Sequence, residues 1–469
     1  MTSPTWISEA VFYQIFPDRF ANGNPALDPP NVQPWGAAPT LRGFQGGDFA
    51  GVHAHLDYLA DLGVNALYFN PIFLSPSNHR YNTTDYYRLD PKLGSAGDFR
   101  HLLEAAHARG MHVVLDGVFN HCGRGFFAFS DVLENEGDSP YREWFHIQRF
   151  PLDAYGPGEA HNYQAWWRFK SLRKFNVRNP ATRRYVLDVA AYWLEQGIDG
   201  WRLDVPNEID DMSFWGEFRE RVKRANPEAY LVGEIWEVAP QWVGPAVFDG
   251  LIHYPFREAC LNLLAKKTLG AVAFGARLIE ILAAYPGQAN LAHYVTLGTH
   301  DVPRLRTVLR GDRPLELLAF TLQFFFPGAP GLYYGDEIGL EGEKDPDNRR
   351  AFPWDTARWD VDLRRHLQRL IVLRKKYRVL REGDLRVLTV EPAESCLALV
   401  RELGEEALAL LVNLGDGQRT LRLARSEVRW PSARACRDEL SGRILPLGEP
   451  VVEFPLPPHS AVLLAPIQD

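Results

Sequence analysis

Three segments of the chain repeat one order of events: an amphipathic helix, a glycine, then a β-branched or aromatic run. They are GVHAHLDYLADLG before VNALYFNP, FRHLLEAAHARG before MHVVLDGVFN, and YVLDVAAYWLEQG before IDGWRLDV. Gly63, Gly110 and Gly197 fall where a helix ends in the left-handed conformation that a Cβ disfavours. The runs that follow are apolar enough to be strands covered on both faces, as in a parallel sheet. Five more runs share this character: AVFYQIF (10–16), AYLVGE (229–234), FDGLIHY (248–254), AHYVTLG (292–298) and GLYYGD (331–336). With the first three they make eight strands, the number that closes a (β/α)8 TIM barrel, so the expected fold class is α/β.

Two stretches do not fit a plain barrel. Between Asn120 and Pro180 lie roughly sixty residues without a clear crossover pattern, far more than a βα loop needs. They are rich in aromatics and glycine, as in YGPGEAHNYQAWWRF, and read as an inserted subdomain after strand three. After DLRRHLQRLIVLRKKY the pattern changes to alternation, in LRVLTV, LALVREL, ALALLVNLGDGQRTLRL and VVEFPL, which predicts a C-terminal antiparallel β domain. The expected division is a catalytic barrel over 1–121 and 179–382, the insertion over 122–178, and a β-sandwich domain over 383–469.

Composition narrows the partners. A net charge of −8 and the lack of a basic run argue against nucleic acid. The opening MTSPTWISEAVFYQIF has no signal-peptide pattern and no apolar stretch reaches membrane-span length, so a cytoplasmic protein without membrane contact is expected. Cys122, Cys260, Cys396 and Cys436 are scattered without a C-x-x-C pair and are expected to be free thiols.

In barrels of this kind function gathers at the C-terminal strand ends. Those ends here carry Asp116, Asn120 and His121 after strand three, Arg202 and Asp204 at strand four, Glu234 at strand five, and His300 and Asp301 after strand seven. Arg202 and Asp204 are two apart on a strand and therefore share a face. That pattern suits either a structural ion pair or a reactive carboxylate, since buried charges must be paired. A metal centre is disfavoured, because the spacings H-x-H and H-E-x-x-H are missing and Arg202 would repel a cation. Arg202 is expected to lower the pKa of Asp204, and an apolar setting beside Ile235 and Trp236, with anionic neighbours, to raise that of Glu234. One ionised and one protonated carboxyl is what retaining glycoside hydrolysis requires.

The motifs DGVFNH (116–121), GWRLDVPNE (200–208), GEIW (233–236) and GTHD (298–301) carry a resemblance. In this order they resemble those of alpha-amylase family glycoside hydrolases, in the neopullulanase, cyclomaltodextrinase and maltogenic amylase branch. VFYQIFPDRFANG, NHRYNTTDYY, GLYYGDE and DPDNRRAFPW are similar to that branch too. The resemblance implies Asp204 as nucleophile, Glu234 as general acid/base and Asp301 as the carboxylate that stabilises the transition state. It implies that Arg202 orients Asp204, that His121 and His300 bind sugar hydroxyls, and that Asp116 supports the site. Tyr81 would stack on the reacting ring, Asp345 and Arg349 would contact the next sugar, and Trp236 would lie on the leaving-group side. Trp166 and Trp167 are read either as sugar platforms or as a pair split between core and surface, and Asn120 as a hydrogen-bonding residue.

The departures are as telling. LRKFN (172–176) stands where the branch typically reads MPKLN, so at Arg173 and Phe175 the branch's fine specificity is not carried over. No cofactor is implied for the chemistry. A structural Ca2+ loop is matched by Asn22, Asn24, Asp28, Gly46 and Asp48, but Asn24 and Leu27 replace oxygen ligands, so the site is expected to be weak or empty. Phe12 already reads as the first barrel strand, and a separate β domain needs some fifty residues. The expectation is a monomer, or a dimer that does not use the branch's N-terminal domain. The expected reaction is retaining hydrolysis of α-1,4-glucosidic bonds in cyclodextrins, maltodextrins or starch, with α-glucan oligosaccharides as partners. An α-glucosidase or transglycosylase is the alternative, and a non-catalytic sugar- or partner-binding barrel the remote one.

Overall fold

A computed structural model describes residues 3–467 except 286, 389, 391, 431, 432 and 449. Eight strands form its centre: β1 (Phe12–Ile15), β2 (Ala66–Phe69), β3 (His112–Gly117), β4 (Gly200–Leu203), β5 (Tyr230–Gly233), β6 (Gly250–Leu251), β7 (Tyr294–Thr296) and β8 (Ala329–Tyr333). They pair in parallel in the order β6-β5-β4-β3-β2-β1-β8-β7. A parallel bridge between Ile252 and Tyr294 joins the two ends, and His253 N–H donates to the Tyr294 carbonyl at 2.8 Å. The sheet is therefore a closed barrel, and all eight expected strands are in it.

The barrel interior is filled rather than hollow. Phe12, Tyr68, Val114, Tyr230, Val232 and Tyr294 pack there as one apolar cluster. Gly331 is required by that packing, because a Cβ on it would lie 2.3 Å from the Tyr294 ring. The helices α1 (Leu56–Leu62), α2 (Ala96–His107) and α3 (Pro180–Glu195) cover the outside. Ser95 and Asp98 cap α2 reciprocally, and the Asn179 side chain accepts from Ala181 and Thr182 at the start of α3. Gly63, Gly110 and Gly197 have φ of 99°, 71° and 102°, so the chain turns from helix to strand where glycine permits it.

The chain between His121 and Asn179 overlies the barrel's C-terminal end. It is tied by a two-rung ladder, His121 with Lys174 and Cys122 with Arg173, and it contains a helix over Phe127–Asn135. The sequence reading missed that helix because Phe126 supplies no side-chain cap to mark its start. Arg173 and Phe175, the residues that depart from the branch motif, are both buried. The Arg173 guanidinium is buried 4.3 Å from the centre of the Phe129 ring, and Phe175 packs on Phe126, Phe145 and Tyr86. Arg173 is buried within the insertion, and Phe175 packs between the insertion and Tyr86.

Beyond α4 (Val361–Lys376) the chain is antiparallel. Strands β9 (Asp384–Leu388), β10 (Cys396–Leu403), β11 (Glu406–Asn413), β12 (Arg419–Ala424), β13 (Ala435–Asp438), β14 (Ile444–Pro446), β15 (Val451–Leu456) and β16 (Ser460–Ile467) form two sheets. Their orders are β9-β10-β11-β16-β13-β14 and β12-β15. Thr389, in the expected strand LRVLTV, lies outside the described residues. This unit has its own apolar core and is joined to the barrel helices, as where Lys376 Nζ meets Glu439 Oε1 at 3.0 Å. All four cysteines are free and buried. Among the described residues no helix is long and apolar enough to cross a membrane.

Candidate active site

The strand ends converge on one guanidinium. Arg202 Nη1 lies 2.7 Å from Asp116 Oδ1 and 2.8 Å from Asp204 Oδ1, and its Nη2 lies 2.8 Å from Glu234 Oε2. Asp116, Arg202 and Glu234 come from three adjacent strands, β3, β4 and the end of β5, whose register sets Asp116 beside Arg202. An unpaired buried arginine would cost several kcal/mol of desolvation, and here three carboxylates offset it. The structural and the reactive reading of Arg202 and Asp204 are thus not exclusive.

A second layer holds Asp116. The phenols of Tyr68 and Tyr81 both donate to Asp116 Oδ2 at 2.8 Å. Tyr81 is set by its loop, where Arg80 Nε donates to buried Asp90 at 2.7 Å and Asn78 Nδ2 to the Gly43 carbonyl at 2.7 Å. Gln14 Nε2 donates to His300 Nδ1 at 2.9 Å. The proton of His300 therefore sits on Nε2, which meets the Tyr81 hydroxyl and, at 3.2 Å, Asp301 Oδ2. Burial, with Arg349 and Arg202 adding, holds the His300 pKa well below its ordinary value, so the ring is a neutral donor. Burial likewise pulls His121 down to about 3, and Asn120 Nδ2 meets its Nδ1 at 3.1 Å.

Four carboxyls, Asp116, Asp204, Glu234 and Asp301, face two guanidiniums, those of Arg202 and Arg349. Arg349 Nη2 lies 3.5 Å from Asp301 and its Nη1 3.0 Å from Asp345. The cluster is short of positive charge, and this corrects the expectation for Asp204. Burial pushes its pKa well up, Arg202 opposes the shift, and Glu234 and Asp116 add to it. One arginine divided among three carboxylates does not offset the burial of Asp204. Burial and Glu234 also push Asp301 up to about 7, against Arg349 and Arg202. Glu234 has the anionic neighbours expected of it, Asp116 and Asp204, but its Oε2 also faces donors that an apolar setting lacks. Besides Arg202, the Val205 N–H donates to Glu234 Oε2 at 3.2 Å.

Trp236 is half exposed and lies flat on Tyr254, with ring centres 3.8 Å apart. Trp166 and Trp167 are not split between core and surface. They stack on each other at 4.6 Å, and Trp166 stacks on His121 at 5.6 Å. Exposed Trp167 is held at φ 45°. Sequence reasoning missed Gln14, Tyr68, Asn70, Tyr254 and the Lys174–Glu208 pair at 3.0 Å. The spacing of Tyr68 and Asn70, two apart at the end of β2, was the available signal.

The residues matching a calcium loop are gathered but are occupied with one another. Asp48 accepts from the Gly23, Asn24 and Gly51 amides, and Asn22 Nδ2 donates to Asp28 Oδ1 at 2.9 Å. Asn24 Oδ1 takes the Ala26 amide, which leaves Asn22 Oδ1 as a buried oxygen without a partner. Calcium needs six to eight oxygens, and a donor N–H set against Asp28 repels it, so this set does not fit the ion. Among the described residues no three His, Cys, Asp or Glu side chains gather to hold a metal.

Residues 14–379 match the family described as alpha amylase, catalytic domain. A cyclomaltodextrinase of Geobacillus thermopakistaniensis (strain MAS1) is 45% identical over 413 residues, 88% of this chain and 70% of that protein. Neopullulanase 2 of Thermoactinomyces vulgaris is 39% identical over 466 residues, 99% of this chain and 78% of that protein. The structure of cyclic α-maltosyl-(1→6)-maltose hydrolase from Arthrobacter globiformis, in complex with cyclic α-maltosyl-(1→6)-maltose, superposes with a TM-score of 0.91 at 39% identity. It covers 99% of this chain and 100% of that one.

Proposed function

The chain belongs to the alpha-amylase family of glycoside hydrolases, and on that premise we propose that it hydrolyses α-1,4-glucosidic bonds in cyclodextrins, maltodextrins or starch with retention of configuration. The observation that carries the reading is the Arg202 guanidinium, which holds Asp204 by one nitrogen and Glu234 by the other. Asp204 Oδ1 is taken by Arg202, so Oδ2 of the ionised carboxylate, the form that Arg202 favours against burial, is the oxygen that attacks the anomeric carbon. Glu234 gives its proton to the glycosidic oxygen as that bond breaks, and a glycosyl ester on Asp204 results. The anionic Glu234 then takes a proton from water, which attacks the ester from the side the leaving group has vacated. Asp301, with the neutral His300 beside it, stabilises charge developing on the ring. Tyr81 and His121 line the reacting sugar, and Asp345 and Arg349 the sugar beyond it.

The names of the relatives support rings and short maltodextrins as substrates, and the Arthrobacter likeness supports including a ring that contains an α-1,6 bond. A cytoplasmic setting belongs to the same proposal. One observation favours transfer as a second outcome: the half-exposed face of Trp236 offers an acceptor sugar a platform against which water has no advantage. Product analysis on β-cyclodextrin, cyclic maltosyl-maltose, maltotriose, pullulan and starch tests the reading. Failure to cleave any of them would reject it, and products longer than the substrate would favour transfer.

A further inference from the structure

Among the described residues, nine other than glycine have positive φ, and Val205 is the β-branched one. Its φ is 36° and its ψ 53°, in the left-handed region that branched side chains avoid. Pro206 follows, and a residue before proline is driven toward extended conformations instead. Strain of this kind persists only where the surroundings over-determine it, and it collects at functional sites. Here the constraints can be named. The Glu234 N–H donates to the Leu203 carbonyl at 3.0 Å, and there the β4–β5 ladder ends. Asp204 N–H serves the β3 side, donating to the Gly117 carbonyl at 3.1 Å, and the amide after it, Val205 N–H, goes to the Glu234 side chain. The Val205 carbonyl accepts from Glu208 N–H at 3.0 Å, and Glu208 is clamped by Lys174 at 3.0 Å.

We infer that Val205 is a positioning residue for the general acid, and that its strained turn decides which oxygen of Glu234 carries the catalytic proton. The inference rests on Glu234 acting as that acid. Both protein donors, the Val205 amide and the Arg202 guanidinium, meet Oε2. An oxygen already accepting two N–H bonds is the poorer site for a proton, so the proton resides on Oε1, which has no hydrogen-bond partner among the described residues. In the first step the Oε1–H bond breaks and its proton passes to the glycosidic oxygen. The bond from that oxygen to the anomeric carbon breaks, and Asp204 forms a bond to the same carbon. A left-handed residue at 205 ends the strand immediately after the nucleophile while keeping this amide aimed at the acid.

The test removes the amide alone, by placing α-hydroxyvaline at position 205 so that an ester oxygen replaces N–H. Turnover of maltotriose is expected to fall at least about tenfold with KM within about threefold, while an activated aryl maltoside, which needs little protonation, changes less than about threefold. Equal losses on both substrates, or no loss on either, would overturn the inference. Val205→Gly keeps the N–H and adopts the left-handed backbone freely, so it is expected to keep the parent ratio between the two substrates. A selective loss on maltotriose in that variant would also overturn it. Glu234→Gln separates the two claims: if it too hurts both substrates equally, the acid assignment itself has failed.

Discussion

Arg202 Nη1 and Asp204 Oδ1 lie 2.8 Å apart, with both side chains withdrawn from solvent. The pair is buried and ion-paired through one oxygen of Asp204, and the second oxygen has no hydrogen-bond partner among the described residues.

Asp204→Asn is expected to bring turnover below about one ten-thousandth of the parent rate, the scale for loss of a covalent nucleophile. Burial, Glu234 and Asp116 all disfavour the charged form of Asp204. The amide therefore relieves crowding, and the thermal midpoint is expected to hold or rise. Kinetics and calorimetry on one preparation check both halves. A folded variant with near-parent activity would remove Asp204 from the role.

Glu234→Gln is expected to cripple hydrolysis of maltotriose by about a hundredfold or more, in the upper part of the range for general acid catalysis. The defect should shrink on aryl maltosides with good leaving groups. Steady-state kinetics on both classes is the measurement, and matching defects would count against an acid.

If Asp204 attacks the sugar, the first product keeps the α configuration, and the carboxyls of Asp204 and Glu234 stand about 5 to 5.5 Å apart. Proton NMR during the first minutes of hydrolysis reads the anomer before mutarotation blurs it. A β product would reject the double displacement.

Chelation should do little to the fold. Asp48 is bonded to three backbone amides and Asn22 to Asp28, so protein donors already engage these loop carboxylates. Dialysis against EDTA is expected to leave the thermal midpoint and the activity unchanged. A midpoint lowered by several degrees and restored by calcium would show that the loop rearranges to hold the ion.

Asp336 provides a test by pH. It lies 2.8 Å from Arg304, yet burial pushes it up to about 7; Arg304 opposes the shift and Glu337 adds to it. The folded chain thus holds this proton more tightly than the unfolded chain does. The stabilising effect is full below the unfolded pKa, about 4, and is lost as pH rises through about 7. The thermal midpoint of the parent is therefore expected to fall relative to that of Asp336→Asn between about pH 5 and about pH 8. Parallel curves would contradict the shift.

Eight strands, the glycines that turn the chain into them, and the order of the polar strand ends are all legible in the sequence. The reason is that they depend on short-range pattern: periodicity, a left-handed turn, and a residue spacing of two. Tyr68 and Gln14 were legible only as members of apolar strands, since nothing local says that the Tyr68 phenol will reach Asp116 or that Gln14 will meet a histidine 286 positions away. The strain at Val205 was equally hidden, because it arises where β4, β5 and the insertion all pull on one peptide. Barrel closure decided the rest. It set one arginine among three carboxylates, so that burial outweighed pairing at Asp204. It also buried Arg173 and Phe175, which the motif comparison had marked only as departures from the branch. Electrostatics and packing depend on distances in space, and those exist only once the sheet has closed.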